Sequence, residues 1–167
     1  MPKLVKDGKI IENTWTLIAN PEGDPADYVV PDGQVIVPLP VWLAQKEQLQ
    51  ARNDLGVWLE STESAHQLGE DARKLPLIAV NFPVFTDGRS FSNARLLRER
   101  YNFTGELRAI GNFIRDQLFY LRRCGVNAFA FANEEIDLEA VLPSLNDFTE
   151  YYQGAVVQPL PLFRRRV

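Results

Sequence analysis

The sequence predicts an α/β fold with a mainly parallel sheet of about five strands. Five short apolar runs recur along the chain, at residues 35–37, 57–59, 77–80, 107–110 and 128–131. The stretches between them are amphipathic, and strands that alternate with helices are typical of parallel sheets. Two architectures fit this pattern: an open three-layer sandwich with helices on both faces of the sheet, and half of a (β/α)8 barrel.

An N-terminal β arm with a small hairpin is expected ahead of this domain. The β-prone run at residues 14–18 lies between two turn-forming segments, residues 6–9 and residues 20–25. The chain therefore divides into an arm (1–34), an α/β domain (35–153) and a C-terminal tail (154–167).

Helices are predicted at residues 41–53, 64–74, 90–100, 112–124 and 136–151. The first is rich in helix-forming residues and starts just after Pro40. The third and fourth each carry an apolar stripe flanked by arginines, and Gly125 ends the fourth. Pro143 interrupts the fifth, so a new helical segment or a kink should begin there.

Composition limits the class of protein. The chain has 167 residues, of which 46% are apolar and 24% charged, enough for one ordinary core. With no long apolar run and no export signal, we expect a cytoplasmic protein without a membrane partner. One cysteine and one histidine exclude an intrachain disulfide and a cysteine-rich zinc site, so no metal site is predicted.

No cofactor or reaction can be assigned from motifs. The sequence has no Gly-x-Gly-x-x-Gly fingerprint, no phosphate-binding loop ending in Gly-Lys-Ser/Thr and no Gly-x-Ser-x-Gly elbow. The cofactor is therefore unknown, and whether the protein is an enzyme is open at this level.

The charge distribution points to one region. Eight of the 13 arginines lie between residues 87 and 124, against four carboxylates, so this segment is +4 while the whole chain is −4. Arginine suits bidentate recognition of oxyanions and carboxylates. Acidic overall charge disfavours nucleic acid as a partner. The alternative interpretation of the segment is a helix surface with many salt bridges.

The candidate site lies where strand ends meet helix starts, since ligands of parallel α/β folds collect there. One group is predicted to bind an oxyanion: Thr86, Gly88, Arg89, Ser90, Arg95 and Arg108. Asp87 and Asp116 are the candidates for acid–base catalysis. Arg108 stands in an apolar strand and must find either a ligand or a carboxylate, with Glu106, Asp87 and Asp116 as alternatives. The prediction requires these guanidinium groups to surround one concavity.

The same region resembles an uncharacterised bacterial family, domain of unknown function 934. The resemblance rests on residues 81–101, with the motif Thr86-Asp87-Gly88-Arg89, and on the segments 105–111 and 115–125. It also covers the arm and residues 35–39, while residues after about 153 are expected to be specific to this chain. The family often has Asp where this chain has Asn81 and Asn112, and Gly at Ser90.

The resemblance implies a protein often labelled an oxidoreductase without a demonstrated activity. Its gene tends to lie beside that of the sirohaem sulfite/nitrite reductase. We therefore expect an accessory factor of assimilatory sulfite or nitrite reduction that binds an oxyanion or a surface of the reductase. The alternative is a small oxidoreductase, lyase or isomerase acting on a sulfur or phosphate metabolite. A third alternative is a homodimer that buries Phe113, Phe119 and Tyr120 against a second copy.

Overall fold

The computed structural model describes residues 2–165 and contains a single mixed sheet of eight strands. The strands are β1 (Lys3–Lys6), β2 (Lys9–Glu12), β3 (Thr16–Leu17), β4 (Val35–Pro38), β5 (Leu55–Leu59), β6 (Leu77–Phe82), β7 (Glu106–Gly111) and β8 (Ala128–Phe131). Their order across the sheet is β2-β1-β8-β7-β6-β5-β4-β3.

Strands β3 to β8 are parallel and lie side by side in sequence order. β1 pairs antiparallel with β8, and β2 antiparallel with β1. The five predicted strands are all present, as β4 to β8. The expected strand count was too low, because the predicted arm supplies three further strands to the same sheet.

Short helices connect the strands. The α-helices are α1 (Leu39–Ala44), α2 (Lys46–Leu49), α3 (Arg89–Glu99), α4 (Leu118–Arg123), α5 (Leu138–Val141) and α6 (Leu162–Arg165). The 3-10 helices are Ala65–Gln67, Gly69–Lys74, Arg115–Gln117 and Leu142–Asn146. The break predicted at Pro143 is confirmed, since Pro143 stands in the first turn of a new 3-10 segment.

The two faces of the sheet differ, and this separates the two predicted architectures. One face packs against the helices in the main core, which includes Val57, Val80, Leu107 and Phe129 from the strands. The other carries a smaller cluster of strand residues, Ile36, Trp58, Leu77, Ala79 and Ile110. Right-handed crossovers between sequential parallel strands place the helices that connect them on one side. The sheet is therefore a curled half-barrel, and the open three-layer sandwich is wrong.

A three-residue segment joins the two edges of this sheet. β2 is one edge strand and β3 the other, yet only Asn13, Thr14 and Trp15 separate them in sequence. A chain of this length spans at most roughly 14 Å, so the sheet must curl until its edges approach each other. We call residues 13–15 the crossing segment. Trp15 packs against the smaller cluster described above, which lies on the inner face of the curled sheet and which we call the concave cluster.

Candidate functional site

The concave face holds an open groove of about 1420 Å³. The crossing segment and the loop that follows β8 border it, and side chains of β4, β6, β7 and β8 reach into it. Lys3 of β1 and Arg108 of β7 are the charged strand residues in this lining. The groove thus occupies the interior of the half-barrel, on the face opposite the crossover helices, and the start of α5 borders it.

Strand alternation sends Arg108 into this groove. Leu107 and Ala109 pack in the main core, while Ile110 lies in the concave cluster, so Glu106 and Arg108 share the concave face with it. The alternation of side chains along a strand explains this division of β7 between the two faces of the sheet. Arg108 is only 2% exposed.

Glu106 binds two cations beneath the groove, and of these three residues Arg108 is the one that lines it. One of its oxygens accepts from Nε of Arg108 at 2.7 Å and lies 2.6 Å from the terminal nitrogen NH2 of the same guanidinium. Its other oxygen lies 2.7 Å from Nζ of Lys6. Register explains the meeting, because Lys6 and Arg108 both pair with Ala128, whose small side chain lies between them. We call Lys6, Glu106 and Arg108 the floor cluster.

The floor cluster carries a net charge of +1. Glu106 is 9% exposed, so two positive charges share one buried carboxylate. The terminal nitrogen NH1 of Arg108 donates to Oδ1 of Asn13 at 3.0 Å, which is neutral. These contacts engage three of the five N–H groups of the guanidinium. Positive charge in a poorly hydrated site favours a bound anion.

Acidic side chains lie at the mouth of the groove. Glu134, Asp137 and Glu139 line it after β8, and Lys3 lines it from β1. Asp137 caps α5, because its Oδ1 accepts from the backbone N–H groups of Glu139 and Ala140. The field is therefore negative at the entrance and positive at the floor.

A second polar group lies at the ends of β5 and β6. The side-chain amide of Asn81 donates to Glu60 at 2.7 Å, and the backbone N–H of Glu60 donates to Glu63 at 2.7 Å. Burial raises the pKa of Glu63, and the negative charge of Glu60 adds to that rise. Asn81 lines the groove, so this pair of carboxylates approaches it from the strand ends.

The predicted oxyanion loop is occupied by its own ion pair. Nε and NH2 of Arg89 bind the two oxygens of Asp87 at 2.9 and 2.7 Å, and NH2 also donates to Oγ of Ser61. Arg89, and then Ser61, hold the pKa of Asp87 well below its usual range. Ser90 is buried and donates to the carbonyl of Asn81, while Thr86 is exposed.

The remaining predicted residues do not join this loop. Arg95 binds Glu99 at 2.9 Å on the exposed side of α3. Asp116 is exposed in the 3-10 turn before α4. Of the residues predicted to bind or catalyse, Arg108 alone lines the groove. The expectation that the guanidinium groups surround one concavity is therefore wrong, because Arg89, Arg95 and Arg108 each bind a nearby carboxylate in a different part of the fold.

Arg98 shows why the arginine-rich segment does not form one site. Its guanidinium donates to the backbone carbonyls of Phe103, Gly105 and Gly125 and to the side chain of Asn127. Burial lowers the pKa of Arg98. The side chain fastens the starts of β7 and β8 to α3, which is a structural role.

Sequence reasoning missed the contributions of the arm. Glu106 was among the predicted partners of Arg108, but Lys6 and Asn13 were not considered. Asn13 is 95 positions away from Arg108 in the chain. No local pattern signals such a contact, since it depends on how the sheet curls.

The fold and the groove define a class of protein: a one-sided α/β half-barrel with a charged concave face. The chain belongs to a bacterial protein family of unknown function (DUF934), whose profile matches residues 56–163. The match includes most of the segment expected to be a chain-specific tail, so that expectation is corrected. No curated protein and no solved structure matches the chain.

Two further findings concern residues 2–165. None of their helices is long and apolar enough to cross a membrane. Within the same range, no three His, Cys, Asp or Glu side chains are grouped so that they could hold a metal ion.

Proposed function

We propose that the protein binds a small anionic metabolite in the concave groove, with the anionic group against the floor cluster. The observation that carries this proposal is the net positive charge of Lys6, Glu106 and Arg108 beneath an open groove. Two N–H groups of Arg108 that no residue in the range 2–165 engages supply donors for an oxyanion, and charge-assisted bonds of this kind are the strong ones.

The acidic mouth narrows the ligand class. Glu134, Asp137 and Glu139 repel a polyanion at the entrance. A compact anionic head on a neutral or positively charged remainder avoids that repulsion. Trp15 and Ile110 offer apolar surface to the remainder.

The pathway is proposed from the family resemblance. We propose an accessory role in assimilatory sulfite or nitrite reduction, in which the floor cluster holds sulfite, nitrite or a related oxyanion group, either free or as the head of a larger ligand. The reductase surface is the corresponding protein partner. Sulfite and nitrite are therefore the first anions to test.

Calorimetric titration with sulfite, nitrite, sulfate and chloride tests the site. We expect saturable binding of at least one oxyanion by the wild type and its loss in Arg108→Met. Asn13→Ala removes only the hydrogen-bond acceptor of one guanidinium nitrogen of Arg108. It should change the affinity for the oxyanion without unfolding the protein. Arg95→Met is the matched control, because Arg95 lies on α3 outside the groove.

Arg89→Met separates the groove from the strand-end loop. Loss of binding in Arg89→Met with retention in Arg108→Met would place the anion at the loop and overturn the groove assignment. Absence of binding by the wild type would remove the proposal. Co-purification with sulfite reductase tests the accessory role. If the same amount of reductase is recovered whether or not this protein is present, the accessory role is contradicted.

A further inference from the structure

A second pocket lies on the opposite, helix-covered side of the sheet, between α4 and the segment that follows the last 3-10 helix. It has a volume of about 320 Å³. Its lining combines arginine and aromatic side chains with amide and hydroxyl groups: Phe119, Arg122, Arg123, Asn146, Phe148, Thr149, Tyr151, Val157 and Gln158.

The charge of this pocket is of one sign. Arg122 and Arg123 line it, and no carboxylate from residues 2–165 does. Neither arginine forms an ion pair with any residue in the range 2–165. Arg122 instead donates from NH1 to the carbonyl of Leu145 and to Oδ1 of Asn146. In contrast to the concave groove, an approaching anion meets no negative side chain in the lining.

Arg123 has unused hydrogen-bonding capacity. Its NH2 group donates to the carbonyl of Gln153 at 2.8 Å, and its Nε is buried without a hydrogen-bond partner among the described residues. The guanidinium carbon lies 3.9 Å from the ring centroid of Tyr151. The ring of Tyr151 thus covers one face of the guanidinium, and the terminal nitrogens of Arg123 remain for another acceptor.

The aromatic side chains form an edge-to-face cluster beside this charge. The ring of Phe119 lies 5.2 Å from Phe148 and 5.7 Å from Tyr151, measured between centroids. Phe148 is 63% exposed. A large exposed aromatic next to unpaired arginines is typical of a recognition site.

We infer that this pocket binds a small ligand that carries a phosphate or similar oxyanion on a flat ring system, as a nucleoside monophosphate does. The oxyanion lies against Arg122 and Arg123, and the ring stacks on Phe148. The volume supports a ligand larger than a bare oxyanion, since small-molecule sites begin at about 300 Å³. This site is independent of the proposed function of the groove.

Calorimetric titration with adenosine 5′-monophosphate, adenosine and inorganic phosphate tests the inference at low ionic strength. We expect saturable binding of the nucleotide, with each half of the molecule at least about tenfold weaker. Arg123→Gln and Phe148→Ala should each weaken nucleotide binding about tenfold. Arg108→Met and the surface control Arg95→Gln should leave it unchanged, which separates this site from the groove.

Arg122→Gln is a variant that is expected to fold, because Arg122 is exposed and its loss leaves the core intact. A change in its nucleotide affinity therefore reports on the site and not on misfolding. If Arg122→Gln and Arg123→Gln both retain full nucleotide affinity, or if the wild type binds no nucleotide, the inference is overturned. If inorganic phosphate binds as tightly as the nucleotide, the ring-stacking part is overturned.

Discussion

Removing Glu106 should destabilise the protein more than removing either cation that it binds. Glu106→Gln leaves Lys6 and Arg108 at the groove floor without a negative partner. Because both cations contact the same carboxylate, they lie within roughly 8 Å of each other, and their mutual repulsion is about 2 kcal/mol at an effective dielectric constant near 20. The carboxylate offsets this repulsion in the wild type and no longer does so in the variant. Loss of the charge-assisted hydrogen bonds adds to this.

The expected total is about 3 kcal/mol of unfolding free energy, the lower end of the range for a broken buried pair. The lower end applies because the Lys6 side chain is 34% exposed and can turn toward water. Arg108→Met should cost only about 1 kcal/mol, since it leaves a balanced Lys6–Glu106 pair. For a chain of this length, the melting temperature should fall by about 6–12 °C in the first variant and about 2–4 °C in the second.

Urea unfolding followed by circular dichroism measures both free energies. Glu99→Gln is the matched control, because it breaks an exposed pair with Arg95 and should cost less than about 0.5 kcal/mol. Sulfate should stabilise Glu106→Gln more than it stabilises the wild type, since the floor charge rises to +2. An Arg108→Met variant as unstable as Glu106→Gln would refute the charge argument and assign the effect to packing.

Three further predictions concern single positions. Gly111→Ala should lower the free energy of unfolding by about 1–3 kcal/mol and weaken binding in the groove, because the backbone φ is +95° and an added Cβ would lie 2.5 Å from Oδ1 of Asn81. Urea unfolding measures the loss, and Gly8→Ala, with φ +76° and open space around it, is the control for backbone strain alone. Glu63→Gln should stabilise the protein at neutral pH, because the raised pKa of Glu63 shows that its ionisation is unfavourable in the folded state. This advantage should shrink as the pH falls toward about 4.5 and be lost below it; urea midpoints from neutral pH down to this value measure it, and a pH-independent difference would contradict it. Cys124 should react slowly with thiol reagents until the protein unfolds, because it is 4% exposed and burial raises its pKa; an absorbance assay with and without urea measures this, and equal rates would show that the side chain is accessible.

Local patterns sufficed for the α/β class and for the five central strands, because each strand is an apolar run between amphipathic stretches. They did not predict helix lengths. Residues 112–124 were expected to form one helix, yet a 3-10 turn precedes the short α4, since Arg115–Gln117 packs as a separate turn. Local patterns also led to the wrong prediction that the arginine-rich segment forms a single site. Arginine content does not reveal which carboxylate or carbonyl each guanidinium contacts.

The site itself combines two parts of the chain that the sequence separates. Asn81, Glu106 and Arg108 lie within the region that matches the bacterial family, whereas Lys6 and Asn13 lie in the arm outside it. The floor cluster forms only because β1 joins the sheet beside β8 and the crossing segment returns the chain to the other edge. Without the arm, Arg108 and Glu106 would form a neutral pair. The positive charge that makes the groove a candidate anion site is therefore a property of the arm and the half-barrel together.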